Sequence, residues 1–181
     1  LARNKNKLES TFNNFESSLI LPCDVSNYDQ VTQSFEAIKK RWGRLDVLFN
    51  NAGIGLKANT PENISFKDWK RVIEINLNGS FICAQNAFKM MKEQNPHGGR
   101  IINNGSVSAH VPRPGSSPYT ASKHAITGLT KSLTLGLVGV LTWQLVVFLQ
   151  YRGVCPISPQ LKHVMERKYG QITLPSRSLI L

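Results

Sequence analysis

Short apolar runs alternate with amphipathic stretches along most of this chain. The run SSLILPCDV (Ser17–Val25) has the length of a buried strand. After it, four large apolar residues recur at spacings of four, three and four: Val31, Phe35, Ile38 and Trp42. That spacing predicts an amphipathic helix, which the S-x-x-D pattern of Ser26 and Asp29 would cap at its start and Gly43 would end.

The same alternation continues towards residue 135. Two further runs are predicted to be strands, LDVLFNNAG (Leu45–Gly53) and RIINNGS (Arg100–Ser106). A second S-x-x-D pattern at Ser65 predicts a long helix from Phe66 to about Glu93, and another helix begins near Tyr119. The opening segment NKNKLESTF is also helix-like.

Strands that alternate with helices predict an α/β fold with a parallel sheet and helices on both faces. In such sheets, ligands bind beyond the carboxyl ends of the strands. Polar residues follow the predicted strands at Asp24, at Asn50–Gly53 and at Ser106. We therefore expect a functional site at this edge of the sheet.

The pattern changes after residue 135. The segment Ser132–Tyr151 contains no charged residue and is long enough to span a bilayer. Glycines, Thr142 and Gln144 interrupt its apolar character. Three interpretations stay open: the end of a buried helix followed by a strand, WQLVVFLQY; a membrane anchor; or sequence from an altered reading frame or splice form. From Pro156 onward, the composition also fits poor order.

Composition excludes several classes of protein. With 181 residues, 41% of them hydrophobic, the chain is of single-domain length and has an ordinary soluble composition. Its net charge of +11 raises nucleic acid as a partner. However, the basic residues are scattered and no basic stripe carries interleaved aromatics, so we expect no nucleic-acid binding. An anionic cofactor would account for the charge equally well.

The cysteines and histidines predict neither a disulfide scaffold nor a metal site. Cys23, Cys83 and Cys155 are odd in number and widely spaced, and the four histidines show no i, i+4 pairing. Reduced thiols fit a cytosol-like compartment, so a cytoplasmic location is expected. The first residues contain no apolar signal segment and no initiator Met, and we interpret the chain as a fragment.

Tyr119 and Lys123 are the most suggestive pair of polar residues. Their spacing places both side chains on one face of the predicted helix, but chance alone gives this spacing to about one tyrosine in ten. The surroundings add weight, because Ser106 lies thirteen residues before Tyr119 and NNAG and INLNG precede both.

Taken together, DVS, NNAG, N-x-x-G, GS and Y-x-x-x-K resemble the short-chain dehydrogenase/reductase family over residues 1–135. The thirteen-residue spacing between serine and tyrosine is also that family's spacing. The resemblance implies a Rossmann-type, doubly wound parallel sheet. It further implies an NAD(P)-dependent oxidoreductase that transfers hydride between a nicotinamide cofactor and a carbonyl/alcohol substrate.

The resemblance assigns four catalytic roles: Asn76, Ser106, Tyr119 and Lys123. Tyrosine would be the general acid in carbonyl reduction and the general base in alcohol oxidation. The lysine ammonium would favour the phenolate form and hydrogen-bond the nicotinamide ribose. The serine hydroxyl would polarise the substrate oxygen, and the asparagine would hold a water of the proton relay.

The resemblance also assigns the cofactor-binding residues: Arg3, Asp24, Val25, Asn50, Ala52 and Gly53, together with Tyr119 and Lys123. The aspartate and valine would contact adenine, and NNAG would support the adenine-ribose side. Arg3 stands where the family often binds a 2′-phosphate, and no acid is present there to bind the ribose hydroxyls of NAD. NADP(H) is therefore favoured over NAD(H).

The chain departs from the family's pattern at both ends. The glycine-rich phosphate loop, T-G-x-x-x-G-x-G, would precede Leu1, so we expect an incomplete sheet that lacks the first βα unit and binds a dinucleotide weakly. We expect residues 1–135 to form a partial NAD(P)-binding domain and residues 136–181 a divergent segment with partial disorder.

Two functions stay open at this point. The first is the reductase/dehydrogenase, with a small-molecule carbonyl or alcohol substrate and, by resemblance, a homo-oligomeric intact parent. The alternative is a catalytically inactive truncated isoform that acts only as an interaction partner of intact subunits. A basic membrane-associated protein is a third, less favoured option.

Overall fold

In a computed structural model, which describes residues 1–12, 18–135, 143–148 and 178–180, the chain forms an α/β fold around a parallel sheet. The described residues contain four strands, in chain order β1 (Val47–Asn50), β2 (Gly99–Asn104), β3 (Trp143–Phe148) and β4 (Ser178–Ile180). They lie side by side in the order β3-β2-β1-β4 and all pairings are parallel. The predicted α/β class with a parallel sheet is therefore confirmed.

The prediction of a strand at Ser17–Val25 is wrong for the described residues 18–25. They contain only one isolated bridge, between Ala2 and Pro22, supported by a hydrogen bond from Cys23 N to Ala2 O at 3.0 Å. Proline has no N–H to donate, so a regular ladder cannot continue through Pro22.

The helices lie close to the predicted positions: α1 (Lys5–Phe12), α2 (Tyr28–Trp42), α3 (Phe66–Ile73), α4 (Gly79–Glu93) and α5 (Ser117–Leu135). The cap of α2 differs from the prediction. Ser26 Oγ donates to Asp24 Oδ1 at 2.6 Å, so its side chain is already engaged. Asn27 Oδ1 instead accepts from Gln30 N at 2.9 Å and caps the helix.

The long helix predicted from Phe66 to about Glu93 is confirmed with one irregularity. A π-helical segment, Glu74–Asn78, joins α3 to α4. At the start of α3, the predicted capping box is present: Ser65 Oγ accepts from Asp68 N at 3.1 Å and donates to Asp68 Oδ2 at 2.8 Å.

The main core lies between the sheet, α2 and α4. Leu48 of β1 and Ile101 of β2 are almost fully buried, as are Val31 and Ile38 on the predicted stripe of α2. Helix α5 packs against α3, the π-helical segment and β3. The carboxyl ends of β1 and β2 thus meet the start of α5, where the candidate site lies.

In the C-terminal region, residues Trp143–Phe148 form β3, which agrees with the first of the three interpretations, a strand at WQLVVFLQY; it pairs with β2 from Gly99 opposite Trp143 to Asn104 opposite Phe148. Strand β4 lies within the region from Pro156 onward for which poor order was expected, and residues 149–177 lie outside the described part of the chain. Within the described part, no helix has both the length and the apolar character needed to cross a bilayer.

Candidate active site

Lys123 is the most unusual side chain at the carboxyl edge of the sheet. It is 5% exposed, and its Nζ donates to the backbone oxygen of Asn104, the last residue of β2, at 2.7 Å. Burial lowers its pKa from 10.5 to about 8. The ammonium also lies 5.6 Å from the ring centroid of Tyr119, one helical turn earlier on α5. The two residues that the sequence paired are therefore close in space.

The ring of Tyr119 lies among two cations and a loop backbone. On α5, Lys123 Nζ is 5.6 Å from the ring centroid; from the preceding loop, Arg113 Cζ is also 5.6 Å from it. A Cβ atom added at Gly55 would lie 3.8 Å from Tyr119 Cδ2, so the loop after β1 passes beside the ring. The ring is thus fixed from several sides, while the residue stays partly exposed.

Asn76 holds the loop after β1 against α5. Its Oδ1 accepts from Ile54 N at 2.8 Å, and its Nδ2 donates to Ile54 O at 2.9 Å and to Ser122 Oγ at 3.0 Å. Ser122 Oγ in turn donates to the backbone oxygen of Tyr119 at 2.7 Å. Asn76 is 1% exposed, so its side chain is buried and connects three parts of the site.

Ser106 follows β2 and caps a short 3-10 turn, Val107–Ala109. Its Oγ accepts from Ser108 N at 3.1 Å, and the residue is buried. This bond uses one of the two acceptor lone pairs of the hydroxyl, and its proton can still be donated to another oxygen.

Asn50, at the end of β1, is directed into the protein. Its Nδ2 donates to Ser80 O at 3.1 Å and to Asn103 Oδ1 at 2.9 Å, and the residue is 4% exposed. Ala52 is half-buried in the loop that follows. A Cβ atom at Gly53 would lie 3.4 Å from Asn76 Oδ1, so glycine allows this loop to approach the asparagine closely.

The expected adenine side lies near the N-terminal segment. Asp24 Oδ1 accepts from Ser26 Oγ at 2.6 Å and from Ser26 N at 3.0 Å. These bonds, the side-chain bond first, lower the pKa of the Asp24 carboxyl, and the charges of Arg3 and Arg71 act in the same direction. Val25 is buried, whereas Arg3 is exposed and lies in an open pocket along Ala2–Asn6.

Sequence reasoning missed several residues that shape this site. Ser122 joins Asn76 to Tyr119, and Gly55 lies beside the tyrosine ring. Asn103 and Thr130 form a buried hydrogen bond beneath the site, at 2.9 Å. Periodicity and capping patterns carry no signal for such long-range contacts. Arg113, whose guanidinium lies 5.6 Å from the Tyr119 ring centroid, is a further residue of this kind.

The described residues contain no group of three or more His, Cys, Asp or Glu side chains that could hold a metal ion. Cys23 and Cys83 are free and buried. Burial raises the pKa of the Cys83 thiol to about 12, so this thiol stays protonated at neutral pH.

Comparison with known proteins gives one matching family model. The model described as short chain dehydrogenase matches residues 1–139, close to the extent expected from the motifs. Among curated relatives, a 3beta-hydroxysteroid dehydrogenase of Mediterraneibacter gnavus is 43% identical over 115 residues. That alignment covers 64% of this chain and 41% of the relative, so the chain spans less than half of that protein's length.

Solved structures show the same likeness. A 3-ketoacyl-(acyl-carrier-protein) reductase from Brucella melitensis, complexed with NADH, superposes with a TM-score of 0.76 at 27% identity. The match covers 80% of this chain and 61% of that one. A gluconate 5-dehydrogenase from Burkholderia cenocepacia, in complex with NADP and tartrate, gives a TM-score of 0.72 at 28% identity, covering 81% and 58% of the two chains.

Proposed function

Because this chain belongs to the short-chain dehydrogenase family, we propose that it takes part in hydride transfer between a nicotinamide cofactor and a carbonyl/alcohol substrate. The observation that carries the proposal is the buried Lys123 amine, held 5.6 Å from the ring of Tyr119. Among the described residues, no acidic side chain forms an ion pair with this amine. Burying a cation without such a partner is costly, and arrangements of this kind cluster at functional sites.

In the proposed reaction, the Tyr119 hydroxyl donates a proton to the carbonyl oxygen during reduction and accepts it back during oxidation. The Lys123 ammonium would stabilise the negative charge that develops on the phenol oxygen. The free hydroxyl proton of Ser106 would bond the substrate oxygen as charge develops there. Asn76 would hold the loop and α5 together while this happens, as its contacts with Ile54 and Ser122 support.

The residues present fit one side of a dinucleotide. Gly53 and Gly55 leave room along the loop beside Asn76 and Tyr119, and an open pocket contains the cations Arg3 and Lys5. When bound, the nicotinamide ring supplies or accepts the hydride. The proposed binding residues are those of the sequence analysis: Arg3, Asp24, Val25, Asn50, Ala52, Gly53, Tyr119 and Lys123. For Asn50, the backbone is the better candidate for a cofactor contact, since the side-chain nitrogen Nδ2 already donates to Ser80 O and Asn103 Oδ1 inside the fold.

We propose NADP(H) rather than NAD(H) as the cofactor. The exposed Arg3 supports this choice because a guanidinium binds a 2′-phosphate well. NADPH should therefore bind more tightly than NADH to the purified chain, as followed by cofactor fluorescence, and Arg3→Glu should reverse the order. Equal binding of the two cofactors would contradict the preference.

We also propose a homo-oligomer, because the resemblance to the short-chain dehydrogenase family implies one. Phe66 and Phe81, on the long helix 66–93, are 73% and 44% exposed, which supports a contact surface on this helix. Sedimentation equilibrium would give the oligomeric state, and a monomer at micromolar concentration would contradict the proposal.

Turnover of NADPH with a panel of carbonyl substrates tests the function. Tyr119→Phe should lower kcat at least about 100-fold, since a positioned proton donor contributes that much or more. Tyr28→Phe is the matched control, because Tyr28 is 55% exposed on α2 and has no role in the proposed reaction. Retained turnover in Tyr119→Phe would contradict the proposed role. A folded wild type with neither binding nor turnover would instead favour the inactive partner of intact subunits.

A further inference from the structure

Two pairs of asparagines cross from β1 to β2 at the carboxyl edge of the sheet. Asn50 and Asn103 are register partners, and Asn50 Nδ2 donates to Asn103 Oδ1 at 2.9 Å. One position further along, Asn104 Nδ2 donates to Asn51 Oδ1 at 2.8 Å. Successive side chains of a strand point to opposite faces, so the two pairs lie on opposite sides of the sheet.

The first pair continues into α5. Asn103 Nδ2 donates to Thr130 Oγ1 at 2.9 Å, and Thr130 Oγ1 donates to Ile126 O at 2.7 Å. Asn103 is 0% and Thr130 4% exposed. The threonine hydroxyl therefore accepts from the strand and donates to its own helix, with both of its functions used in the interior.

Helix α5 is consequently attached to β2 at two points. Lys123 Nζ bonds the backbone oxygen of Asn104, and Thr130 Oγ1 bonds the side chain of Asn103. The helix residues are seven positions apart, two turns on the same face, and the strand residues are consecutive. Two attachments on one face determine both the axial position and the rotation of a helix relative to a strand.

We propose that Asn103 and Thr130 are positioning residues of the candidate active site, which hold α5 in the one position along β2 that brings the Lys123 amine to the Asn104 carbonyl. The inference builds on the proposed function, because it gives the lysine its geometry. Neither Asn103 nor Thr130 would touch substrate or cofactor, and both act through Lys123.

The burial of the hydrogen bond makes the position specific. If α5 moved along β2, Asn103 Nδ2 would lose its acceptor in a region closed to water, while Thr130 Oγ1 would keep only its bond to Ile126 O, and the unpaired amide proton is unfavourable. An apolar contact at this level would tolerate such a movement better, because dispersion contacts are not directional. Lys123 alone would not hold the helix, since its long side chain is flexible.

The test is the amine pKa of Lys123 in the whole chain without cofactor. It is measured from the pH dependence of trace acetylation, followed by mass spectrometry of the Lys123 peptide. Thr130→Val removes the hydroxyl at nearly constant size. The displaced helix should expose the amine, so the pKa should rise from about 8 towards 10.5. Thr130→Ser, which keeps the hydroxyl, should restore the wild-type value.

Thr134→Val is the control on the same helix. Thr134 Oγ1 donates to the backbone oxygen of Thr130 at 2.9 Å, within its own helix, and the residue is exposed, so Lys123 should titrate as in the wild type. A purely structural Thr130 would lower stability without moving the titration of the folded protein. If Thr130→Val fails to fold, Thr130→Cys, with its weaker hydrogen bonding, takes its place.

The outcomes separate this inference from the proposed function. An unchanged Lys123 titration in folded Thr130→Val or Thr130→Cys overturns the inference, whatever the turnover. A shifted titration that Thr130→Ser restores supports it, even where the chain alone shows no turnover. Where turnover is measurable, Thr130→Val should lower kcat by roughly 10-fold with little change in the KM of the carbonyl substrate, because the lysine acts on the chemical step and on the cofactor rather than on that substrate.

Discussion

Two buried amides hold the loops at the two ends of β1 in the same way, yet the two ends differ in what surrounds them. At the amino end, Gln94 Oε1 accepts from Leu45 N at 2.7 Å and Gln94 Nε2 donates to Leu45 O at 3.0 Å. At the carboxyl end, Asn76 makes the equivalent pair with Ile54, at 2.8 and 2.9 Å. Each side chain therefore satisfies both backbone groups of one loop residue.

The remaining contacts separate a structural end from a functional one. Gln94 donates its second proton to Gly98 O at 2.7 Å, which closes the loop before β2. The nearby Arg44 is ion-paired with Asp46 at 2.6 Å. The carboxyl end instead holds Lys123, a buried cation that donates to the backbone oxygen of Asn104. The amino end is electrostatically compensated, whereas the carboxyl end carries a cost of the kind that active sites retain.

Removing the two amides should give the largest effects. Asn76→Ala and Gln94→Ala each leave a buried backbone N–H and C=O without partners, so each should lower the free energy of unfolding by about 2–4 kcal/mol. Only Asn76→Ala should also lower the turnover of the folded protein, by more than about 10-fold, because Asn76 alone connects to Ser122 and Tyr119. Urea unfolding and kcat measured on the same samples check this. Equal loss of turnover in both variants would erase the distinction between the two ends.

The electrostatic cost at the carboxyl end should appear as a pH dependence of stability. The pKa of Lys123 is lowered from 10.5 to about 8, so folding disfavours the charged amine. Below pH 8 the whole cost is present. Between pH 8 and 10.5 the unfolded chain binds more protons, and the free energy of unfolding should rise with pH by on the order of 3 kcal/mol.

The variant Lys123→Met has no amine to titrate, so comparing it with the wild type isolates the contribution of Lys123 to the pH dependence of stability. The difference in free energy of unfolding between the variant and the wild type should be largest in favour of Met below pH 8 and should shrink by pH 10.5. Urea denaturation at the two pH values provides the measurement. A difference that stays constant with pH would mean that the amine carries no such cost.

Alanine substitutions at two helical glycines should have intermediate effects on stability, because the space around the two glycines differs. A Cβ atom at Gly79 would lie 2.8 Å from Val25 Cγ2 and 3.1 Å from Val25 O, so Gly79→Ala should destabilise by about 1–3 kcal/mol. Gly128, exposed on α5, has nothing within 4 Å of its added Cβ. Gly128→Ala should therefore stabilise by about 0.5–1 kcal/mol, and thermal unfolding compares the two. Destabilisation by both would indicate a helix effect rather than close packing beside Val25.

The smallest effect is expected at the compensated amino end. Arg44→Gln removes the partly exposed ion pair with Asp46 and should cost less than about 1 kcal/mol. The cost should diminish in 1 M salt, because screening weakens exposed pairs. A larger, salt-independent cost would show that the amino end also depends on buried charge.

Local patterns predicted the helices and two of the strands because they depend on neighbouring residues. The apolar spacing of α2, the capping box at Ser65 and the end at Gly43 all act within a few positions. The prediction at Ser26 failed because Asp24 engages its hydroxyl, and Asn27 was free to cap. The three-residue strand β4 was not predicted, since so short a segment has no periodicity and exists only through its pairing with β1.

The candidate site was predictable only in part. The spacing of Tyr119 and Lys123 places them one turn apart, and the resemblance supplied Ser106 and Asn76. The structure adds the hydrogen bonds that position these residues. Ser122 bonds Asn76, and Asn103 bonds Asn50 and Thr130, all of them partners far away in the sequence. The burial of Lys123 could not be predicted from its spacing, because it depends on how α5 packs against elements that are distant in the sequence.

The π-helical segment Glu74–Asn78 has a consequence for insertions and deletions. Such a segment contains one residue more than an α-helix needs over the same rise. Deleting one residue there would let the helix become regular while α4 keeps its orientation, because the segment absorbs the extra residue locally. Asn76 itself lies inside the segment, so the deletion should disturb its hydrogen bonds with Ile54 without turning the rest of α4.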